Sequence, residues 1–370
     1  MKSQTISEGK IKLKVPRDYK LDSKMPVFYN PIQVLNRDTS ILLLKSIDRK
    51  SDRPLRVLDL LAASGARGLR IKKEVKKCDV TLNDYSKEAC KLIKYNAKLN
   101  KLKVKTECKP ANVLLSGLDS YDYIDLDPFG TPVPFLDDAI KRLSPHGIIG
   151  ITATDTSALC GAAVKACLRK YGSKPLRNEF MHETAVRILI KKVQQVAAQY
   201  DIALVPIFSH SSNHYIRVYL QKYNSAKKAD EILRQHGYII YCPKCCFRCV
   251  AINLLPEDDN CDMCKGGLKA IGPVWLGKLW DRDLVKKMVQ NINTEAESKG
   301  KTTTSIQANK LVRQIYEESA IPTVGFYDLH ILAKKNKWKQ VPRINDVLSK
   351  TNGVRTHFRL TGVRTKELNI

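Results

Sequence analysis

The sequence lacks a long apolar run and any internal repeat, and it is short of acidic residues. Its most apolar stretch, from Gly147 to Leu168, is broken by Asp155 and Lys165, which makes it a poor membrane span. The Lys-rich N-terminus has no apolar core, so no secretory signal is expected there. No low-complexity tract interrupts the chain. Against 37 Asp and Glu stand 64 Lys and Arg, a net charge of +27. This excess runs from Lys10, Lys12, Lys14 and Arg17 to the segment after Lys334. It fits a large polyanionic partner, because neutralising phosphates releases their counterions. A merely solvated lysine-rich surface, or adaptation to salt or heat, is the plainer explanation of the same charge.

What is present is ordinary globular material: 370 residues, 43% apolar and 27% charged, enough for two or three domains. The most informative stretch is Tyr121-Asp122-Tyr123-Ile124-Asp125-Leu126-Asp127-Pro128-Phe129-Gly130. Its first half alternates like a short strand, and Pro128 with Gly130 stops it. Parallel sheets present their chemistry at the carboxyl ends of strands, so Asp127 is expected at the rim of a crevice. There a carboxylate, a carbonyl freed by Pro128 and the ring of Phe129 can converge on a planar, amine-bearing base. An aromatic amine is a poor nucleophile. Two acceptors on its hydrogens favour a tetrahedral nitrogen, and a carboxylate stabilises the charge that arrives with a methyl group. The bland counterpart is an acidic strand end before a proline turn. Asp125, two residues earlier, points to the same side of a regular strand, so mutual repulsion is expected to raise the pKa of one carboxyl.

Upstream, the strand from Arg56 enters a small-residue turn, Ala62-Ala63-Ser64-Gly65-Ala66-Arg67-Gly68, and then a basic helix. Small residues let a backbone approach a cofactor, and this turn carries no Gly-Lys-Ser/Thr, so it is not a P-loop. The next strand, Val80 to Asp84, places an acidic residue ~20 positions on, where a ribose is gripped. Asp84 can equally serve the N-terminus of a helix from Ser86 to Asn100. Further strands are expected near Val104–Cys108, Gly147–Thr154, Ala203–Phe208 and Tyr215–Leu220, with helices over Thr39–Ile47, Pro134–Leu143 and His182–Ala198. This alternation argues an open parallel sheet covered on both faces. Ser209 to His214 reads as a polar loop whose histidines cap or contact RNA, and Asn293 to Asn309 as a mobile connector or an exposed helix end.

Eleven cysteines, an odd number, include six between Cys242 and Cys264. Without a secretion signal these spacings read as metal binding in a reducing, cytoplasmic compartment. Cys242-x-x-Cys245 and Cys261-x-x-Cys264 fit a structural four-cysteine zinc ribbon; Cys246 and Cys249 form a rival pair, but the loop from Cys245 to Cys261 has the expected length, which favours Cys242 and Cys245. The polar passage from Lys222 to Asp230 divides the chain into residues 1–226 and 227–370, with the ribbon near 242–264. In the tail, Tyr327, Trp338, His357 and Phe358 lie near or among ten Lys and Arg between Lys334 and Lys366, which suits RNA contact or a core beneath a basic surface.

Several motifs together resemble the tRNA (guanine(26)-N(2))-dimethyltransferase family in its compact archaeal form. They are Phe28-Tyr29-Asn30-Pro31, Asn36-Arg37-Asp38, Ser64-Gly65-Ala66-Arg67-Gly68, Asp125-Leu126-Asp127-Pro128-Phe129-Gly130 and Thr152-Ala153-Thr154-Asp155-Thr156. Gly272-Pro273-Val274-Trp275-Leu276-Gly277, Phe326-Tyr327-Asp328 and Arg355-Thr356-His357-Phe358 extend the likeness toward the C-terminus. The resemblance implies an α/β fold: a Rossmann-like class I methyltransferase domain with a smaller C-terminal α+β domain that carries the zinc ribbon and helps hold tRNA. It implies S-adenosylmethionine as methyl donor and N2 of guanine 26 as target. Asp127, with Pro128 and Phe129, would form the catalytic tract. Phe28 and Phe129 would sandwich the guanine. Arg37, Asp59, Gly65, Arg67, Asp84, Pro110 and Ala111 would line the donor site. Pro110 stands where the family commonly has an acidic residue, so adenine binding would rest on the Ala111 backbone, with weakened donor affinity. A membrane or DNA partner is not expected, and a monomer is. The rival readings are a non-catalytic tRNA-binding protein on the same scaffold, and an amino-methyltransferase acting on DNA or another guanine.

Overall fold

The computed structural model describes residues 2–18, 25–48, 52–117, 119–252, 260–300 and 302–366. Residues 253–259 of the expected ribbon lie outside these. An antiparallel hairpin of β1 (Ser3–Glu8) and β2 (Ile11–Pro16) opens the chain, with Ile11, Leu13 and Val15 buried on one face of β2. Then follow α1 (Val34–Ser46), β3 (Leu55–Asp59), α2 (Ala66–Glu74), β4 (Cys78–Asn83), α3 (Lys87–Leu99), β5 (Lys105–Glu107) and α4 (Ala111–Leu115). Next are β6 (Tyr121–Leu126), α5 (Leu136–Lys141) and β7 (Leu143–Ala153). The helix expected from Thr39 starts five residues earlier, at Val34, behind a short 3-10 turn that Asn30 caps. Ser86 caps α3, accepting from the Ala89 N–H.

After β7 come α6 (Thr156–Leu159), α7 (Val164–Tyr171), α8 (Met181–Ala198), β8 (Ile202–Ser212), β9 (Tyr215–Asn224) and α9 (Ala226–Leu233). β10 (His236–Tyr241), β11 (Arg248–Ala251) and β12 (Lys269–Trp275) form a three-stranded antiparallel sheet, and α10 (Arg282–Lys299) and α11 (Ile306–Glu318) follow. A second small sheet joins β13 (Tyr327–Asp328), β14 (Val354–Arg355) and β15 (Gly362–Arg364).

The large sheet has seven strands in the order β5-β4-β3-β6-β7-β9-β8, and β3 to β7 pair in parallel. The chain winds outward from β3 to β5, then returns to place β6 on the other side of β3. This reversal opens a crevice between the loops that leave β3 and β6, where such sheets bind ligands. The Rossmann-like α/β reading is therefore the observed architecture. By packing, the chain forms two units rather than two consecutive halves. One comprises residues 1–152, 219–222 and 283–312, the other residues 153–218, 223–282 and 313–370. This division does not follow the boundary drawn at residue 226, and β9 contributes residues to both units.

One connection differs from its reading in the sequence. The stretch from Ser209 to Ser212 is strand: β8 continues to Ser212 and turns at Asn213, which holds φ +51°. Its polar side chains are satisfied inside the fold. Ser209 Oγ donates to the Leu279 carbonyl at 3.1 Å, and the His210 ring, fully buried, lies 2.9 Å from Ser212 Oγ. Of the alternatives for 293–309, the described residues give the exposed end of α10, the start of α11 and hydrogen bonds between them, Thr303 Oγ1 donating to Glu295 at 3.0 Å and Thr304 Oγ1 to Asn309 at 2.7 Å. In the tail, Phe358 stacks on Phe326 with centroids 6.1 Å apart, and His357 Nδ1 meets Glu318 at 2.6 Å, so both rings serve a core. Among the described residues no helix is long and apolar enough to cross a membrane.

The second unit is held by buried charge. Glu183 accepts from Arg187 Nε at 2.9 Å, from the Gly325 N–H at 2.8 Å and from Arg364 Nη2 at 2.6 Å. Burial pushes the Glu183 carboxyl up, but Arg364 and Arg187 pull it down to about 2. Glu183→Ala would leave two buried guanidiniums short of a partner, and we expect a loss of about 3–5 kcal/mol in urea denaturation. In the parent this contribution is fully present above the unfolded carboxyl pKa and is lost as pH falls toward 2, so the variant's deficit should shrink in acid.

Candidate active site

The turn after β3 is shaped by residues with unusual backbone. Ala63 and Gly65 hold φ +46° and +79°, and the Gly65 N–H donates to the Ala62 carbonyl at 2.7 Å. At Gly68 an added Cβ would lie 2.8 Å from Leu82 Cδ2 and 3.1 Å from Asp59 Oδ2, so α2 sits against β3 and β4 only because this position has no side chain. The Asp59 carboxylate accepts from the Gly68 N–H at 2.9 Å. Asp84, at the end of β4, accepts from the Ala63 N–H and the Ser86 N–H, both at 2.9 Å, and so ties the turn to the start of α3. Cap and ribose roles are thus not exclusive for it: Ser86 caps the helix, while Asp84 sets the lip of the crevice.

On the other side of the reversal, β6 ends at Leu126 and delivers Asp127 to the crevice rim, its side chain 22% accessible. Arg67, from the first turn of α2, reaches across and donates through Nη2 to Asp127 Oδ2 at 2.5 Å. The turn at Gly65 and the end of β6 therefore face one another. The same guanidinium meets Asp125 Oδ1 through Nε at 3.0 Å. Its Nη1 donates to Asn36 Oδ1 at 3.2 Å and to Ser40 Oγ at 2.7 Å, both on α1. Asp125 is fully buried and accepts from Tyr123 Oη at 2.5 Å.

Asp125 and Asp127, where mutual repulsion is expected, are bridged by this arginine. Burial and then the charge of Asp125 raise Asp59 to about 7, against the opposing pull of Arg67 and the Gly68 N–H. Asp59 is 3% exposed, so the structure places it beneath the turn rather than on the crevice surface.

Arg37, on α1, lies in a second buried network. It donates from Nε and Nη2 to the two oxygens of Glu8, each at 2.7 Å, and Tyr29 Oη donates to Glu8 at 2.9 Å. Burial pushes Glu8 up, but Arg37 and Arg70 bring it down to about 2. Among the described residues Arg37 Nη1 has no recorded bond. This network orients the loop carrying Phe28, whose ring meets Phe129 edge to face, 4.6 Å between centroids and 76° between planes. The two rings stand together as expected, but in contact; a base stacks between them only after one turns aside. Phe129 is 55% exposed and free to do so.

Pro110 is exposed and precedes α4, where its carbonyl accepts from the Leu114 N–H at 3.0 Å, and Ala111 is buried beside it. Asn83 fastens this edge, donating to the Lys109 carbonyl at 3.0 Å. Glu8, Ser40 and Tyr123 escaped the sequence reading. The one available signal was the polar run from Asn36 to Ser40, which precedes the apolar second half of α1.

In the other unit, the Sγ atoms of Cys242, Cys245, Cys261 and Cys264 all lie within 4.8 Å of one another. Four thiolates around a tetrahedral ion with bonds of about 2.3 Å stand about 3.8 Å apart. Cys242–Cys264 at 3.5 Å and Cys245–Cys261 at 3.6 Å match that spacing. Cys246 turns away at φ +64° toward Tyr241 Oη, and Cys249 is exposed on β11, so neither belongs to the cluster.

The chain matches the family described as N2,N2-dimethylguanosine tRNA methyltransferase over residues 9–368. It is 40% identical over 370 residues to the tRNA (guanine(26)-N(2)/guanine(27)-N(2))-dimethyltransferase of Aquifex aeolicus, spanning 98% of this chain and 93% of that one. It is 37% identical over 377 residues to the tRNA (guanine(26)-N(2))-dimethyltransferase of Methanosphaera stadtmanae, spanning 99% and 94%. The solved complex of Trm1 from Pyrococcus horikoshii with S-adenosyl-L-methionine superposes with a TM-score of 0.85 at 36% identity, covering 98% of this chain and 97% of that one.

The raised Asp59 carboxyl has a consequence for stability. In the folded state it holds its proton up to about 7, whereas unfolded it releases it near 3.8. Its favourable share is therefore full below pH 3.8 and lost as pH rises toward 7. Asp59→Asn should gain stability relative to the parent between pH 4 and pH 8, by up to ~4 kcal/mol in urea titrations.

Proposed function

The chain belongs to the N2,N2-dimethylguanosine tRNA methyltransferase family, and from that premise we propose how its own residues perform the reaction. The protein is an S-adenosylmethionine-dependent enzyme that methylates N2 of a guanine in tRNA. We propose guanine 26 as the target and Asp127 as the catalytic carboxylate. The observation that carries this assignment is Asp127 at the end of β6, with Oδ2 held by Arg67 and no recorded bond to Oδ1 among the described residues.

The crevice fits an adenosyl sulfonium donor. Asp84 at the lip would accept from the ribose hydroxyls, the Gly65 turn lets the donor approach the backbone, and Ala111 lies where the adenine would rest. Arg37 Nη1 is placed to take the donor's carboxylate, while its other nitrogens stay on Glu8. When bound, the donor supplies an electrophilic methyl group. Asp127 Oδ1 would accept from the N2 amine together with a backbone carbonyl of the Pro128 turn. It would stabilise the positive charge that develops there and then take the proton.

N2 lies on the minor-groove edge of a base inside folded RNA, so the guanine must leave its stack, at a cost of a few kcal/mol. Stacking between Phe28 and Phe129 would return ~1–3 kcal/mol per base, once their mutual edge contact opens. A second reading, that guanine 27 is also taken, is favoured by the double activity named for the Aquifex relative.

The four-cysteine cluster fits zinc, and we propose a structural ion there, since four thiolates leave no position open for chemistry. It would hold the β10–β11 turn to the 261–264 knuckle, which have little apolar core of their own.

Asp127→Asn should lower methyl transfer by ~100-fold or more while tRNA affinity stays near the parent's. Transfer that persists would remove Asp127 from the chemistry. Mass spectrometry of nucleosides from mapped tRNA fragments should place the methyl groups on N2 of guanine 26; label on adenine or only elsewhere in the tRNA would overturn the target. Elemental analysis should find one zinc per chain, lost in Cys245→Ser and kept in Cys249→Ser.

A further inference from the structure

We infer that α3 and the edge of the N-terminal hairpin form a contact surface for the sugar-phosphate backbone of the substrate tRNA; this rests on the reading of tRNA as substrate above. α3 begins at Lys87, three residues after Asp84 at the lip of the crevice. Lys87, Lys91, Lys94 and Lys98 are all exposed, and their spacing of four, three and four residues sets them in one row along the helix. The row spans ~16 Å, room for about five phosphates of one strand. Like charges one turn apart repel, so the row works against the helix that carries it. Among the described residues none of the four has a recorded ion pair, whereas Lys105 and Lys109 hold Glu107 at 3.1 and 3.2 Å. Glu88, the one acidic residue of α3, accepts from Ser86 Oγ at 3.2 Å.

The hairpin adds to this row in a fixed register. Asn96 and Asn100, one turn apart, hold the edge of β2 that faces away from β1. Asn96 Oδ1 accepts from the Lys14 N–H at 2.8 Å, and its Nδ2 donates to the Lys14 carbonyl at 3.1 Å. Asn100 repeats the pattern on Lys12, at 2.8 Å and 2.6 Å. Asn96 Nδ2 also donates to the Ser64 carbonyl at 3.0 Å, which ties this surface to the turn that shapes the crevice. Ile11, Leu13 and Val15 are buried, so Lys12 and Lys14 stand on the outer face of β2, with Lys14 Nζ 4.8 Å from the centre of the Tyr95 ring. Tyr95 is half exposed, and Tyr85, just ahead of Lys87, is more exposed still. Cations interleaved with accessible rings suit RNA whose bases are partly unstacked, since phosphates meet the charges and bases meet the rings. Extrusion of a guanine creates such RNA beside the crevice, and all of this surface belongs to the unit that carries Asp127.

The test measures tRNA binding by the full chain across a range of salt concentrations. One variant combines Lys87→Gln, Lys91→Gln, Lys94→Gln and Lys98→Gln, which keeps good helix formers at each position, and a second carries arginine at the same four, which keeps the charge. The glutamine variant should bind tRNA ~10-fold or more weakly at ~0.1 M salt, with the slope of log Kd against log salt reduced by ~3. The arginine variant should bind within about threefold of the parent, and in both the donor Kd and the single-turnover rate at saturating tRNA should stay within about threefold. A parental tRNA Kd and salt slope in the glutamine variant would overturn the inference and leave the row a solvated face. Equal loss in the arginine variant would also overturn it. Should the glutamine variant fail to fold, as judged by circular dichroism and melting, lysine acetylation of the parent with and without tRNA, read by mass spectrometry, decides. Lys87, Lys91, Lys94 and Lys98 must be protected by tRNA, and unchanged reactivity would refute the contact. Failure of the underlying reading looks different: the parent itself would then place no methyl group on a tRNA guanine, whatever the lysine variants do.

Discussion

A single guanidinium joins the three parts of the candidate site. Arg67 rises from the first turn of α2, reaches the carboxylates at the end of β6, and rests on Asn36 and Ser40 of α1. Its position follows from the turn before it, because Gly65 and Gly68 let α2 begin close against β3 and β4. Asp59, Asp125 and Asp127 gather at this turn, two of them bonded directly to Arg67 and the third to the Gly68 N–H. Burial and the charge of Asp125 raise the Asp59 carboxyl, while Asp127 lies at the rim.

Both packing units use buried ions in place of apolar contacts at points where several elements meet. In the first, Glu8 from the N-terminal hairpin receives Arg37 of α1 and Arg70 of α2, and Arg70 also holds Asp38 and Glu74. In the second, Arg364 joins Glu183 and Glu318. Such networks are weak evidence for net stability, since desolvation offsets most of the attraction, but deleting one member strands the rest. Their directional bonds do select one geometry. At Glu8 that geometry fixes the loop bearing Phe28, through Tyr29 to Glu8 itself and through the Asn30 carbonyl to Arg37.

The degree to which these features were legible in the sequence varies with how local their cause is. Asp127 at a strand end, the Gly65 turn and the Asp84 lip follow from alternation and turn residues within a few positions. Among six clustered cysteines three pairs share the same spacing, so the preference for Cys242 and Cys245 rested on loop length; the chain's path agrees with it, with Cys246 turning inward and Cys249 lying outside. The aromatic tail was ambiguous for a similar reason. His357 and Phe358 sit among basic residues in the sequence, yet they face Glu318 and Phe326, which are near only after folding. The polar run from Ser209 looked like a loop because its partners, Leu279 among them, are about seventy residues away.

What the sequence determined by itself is the order of strands and helices, the residue types at the crevice, the four-thiolate spacing and, through its motifs, the family. These are properties of short segments, set by periodicity, turn chemistry and covalent neighbours. Tertiary structure alone decided which arginine holds which anion. Arg37 and Arg67 are the same residue type, each near a characteristic motif, and nothing local separates them. Their difference arises because Glu8, Asp125 and Asp127 are brought to them from distant positions, and a buried charge is defined by the partners that folding places around it.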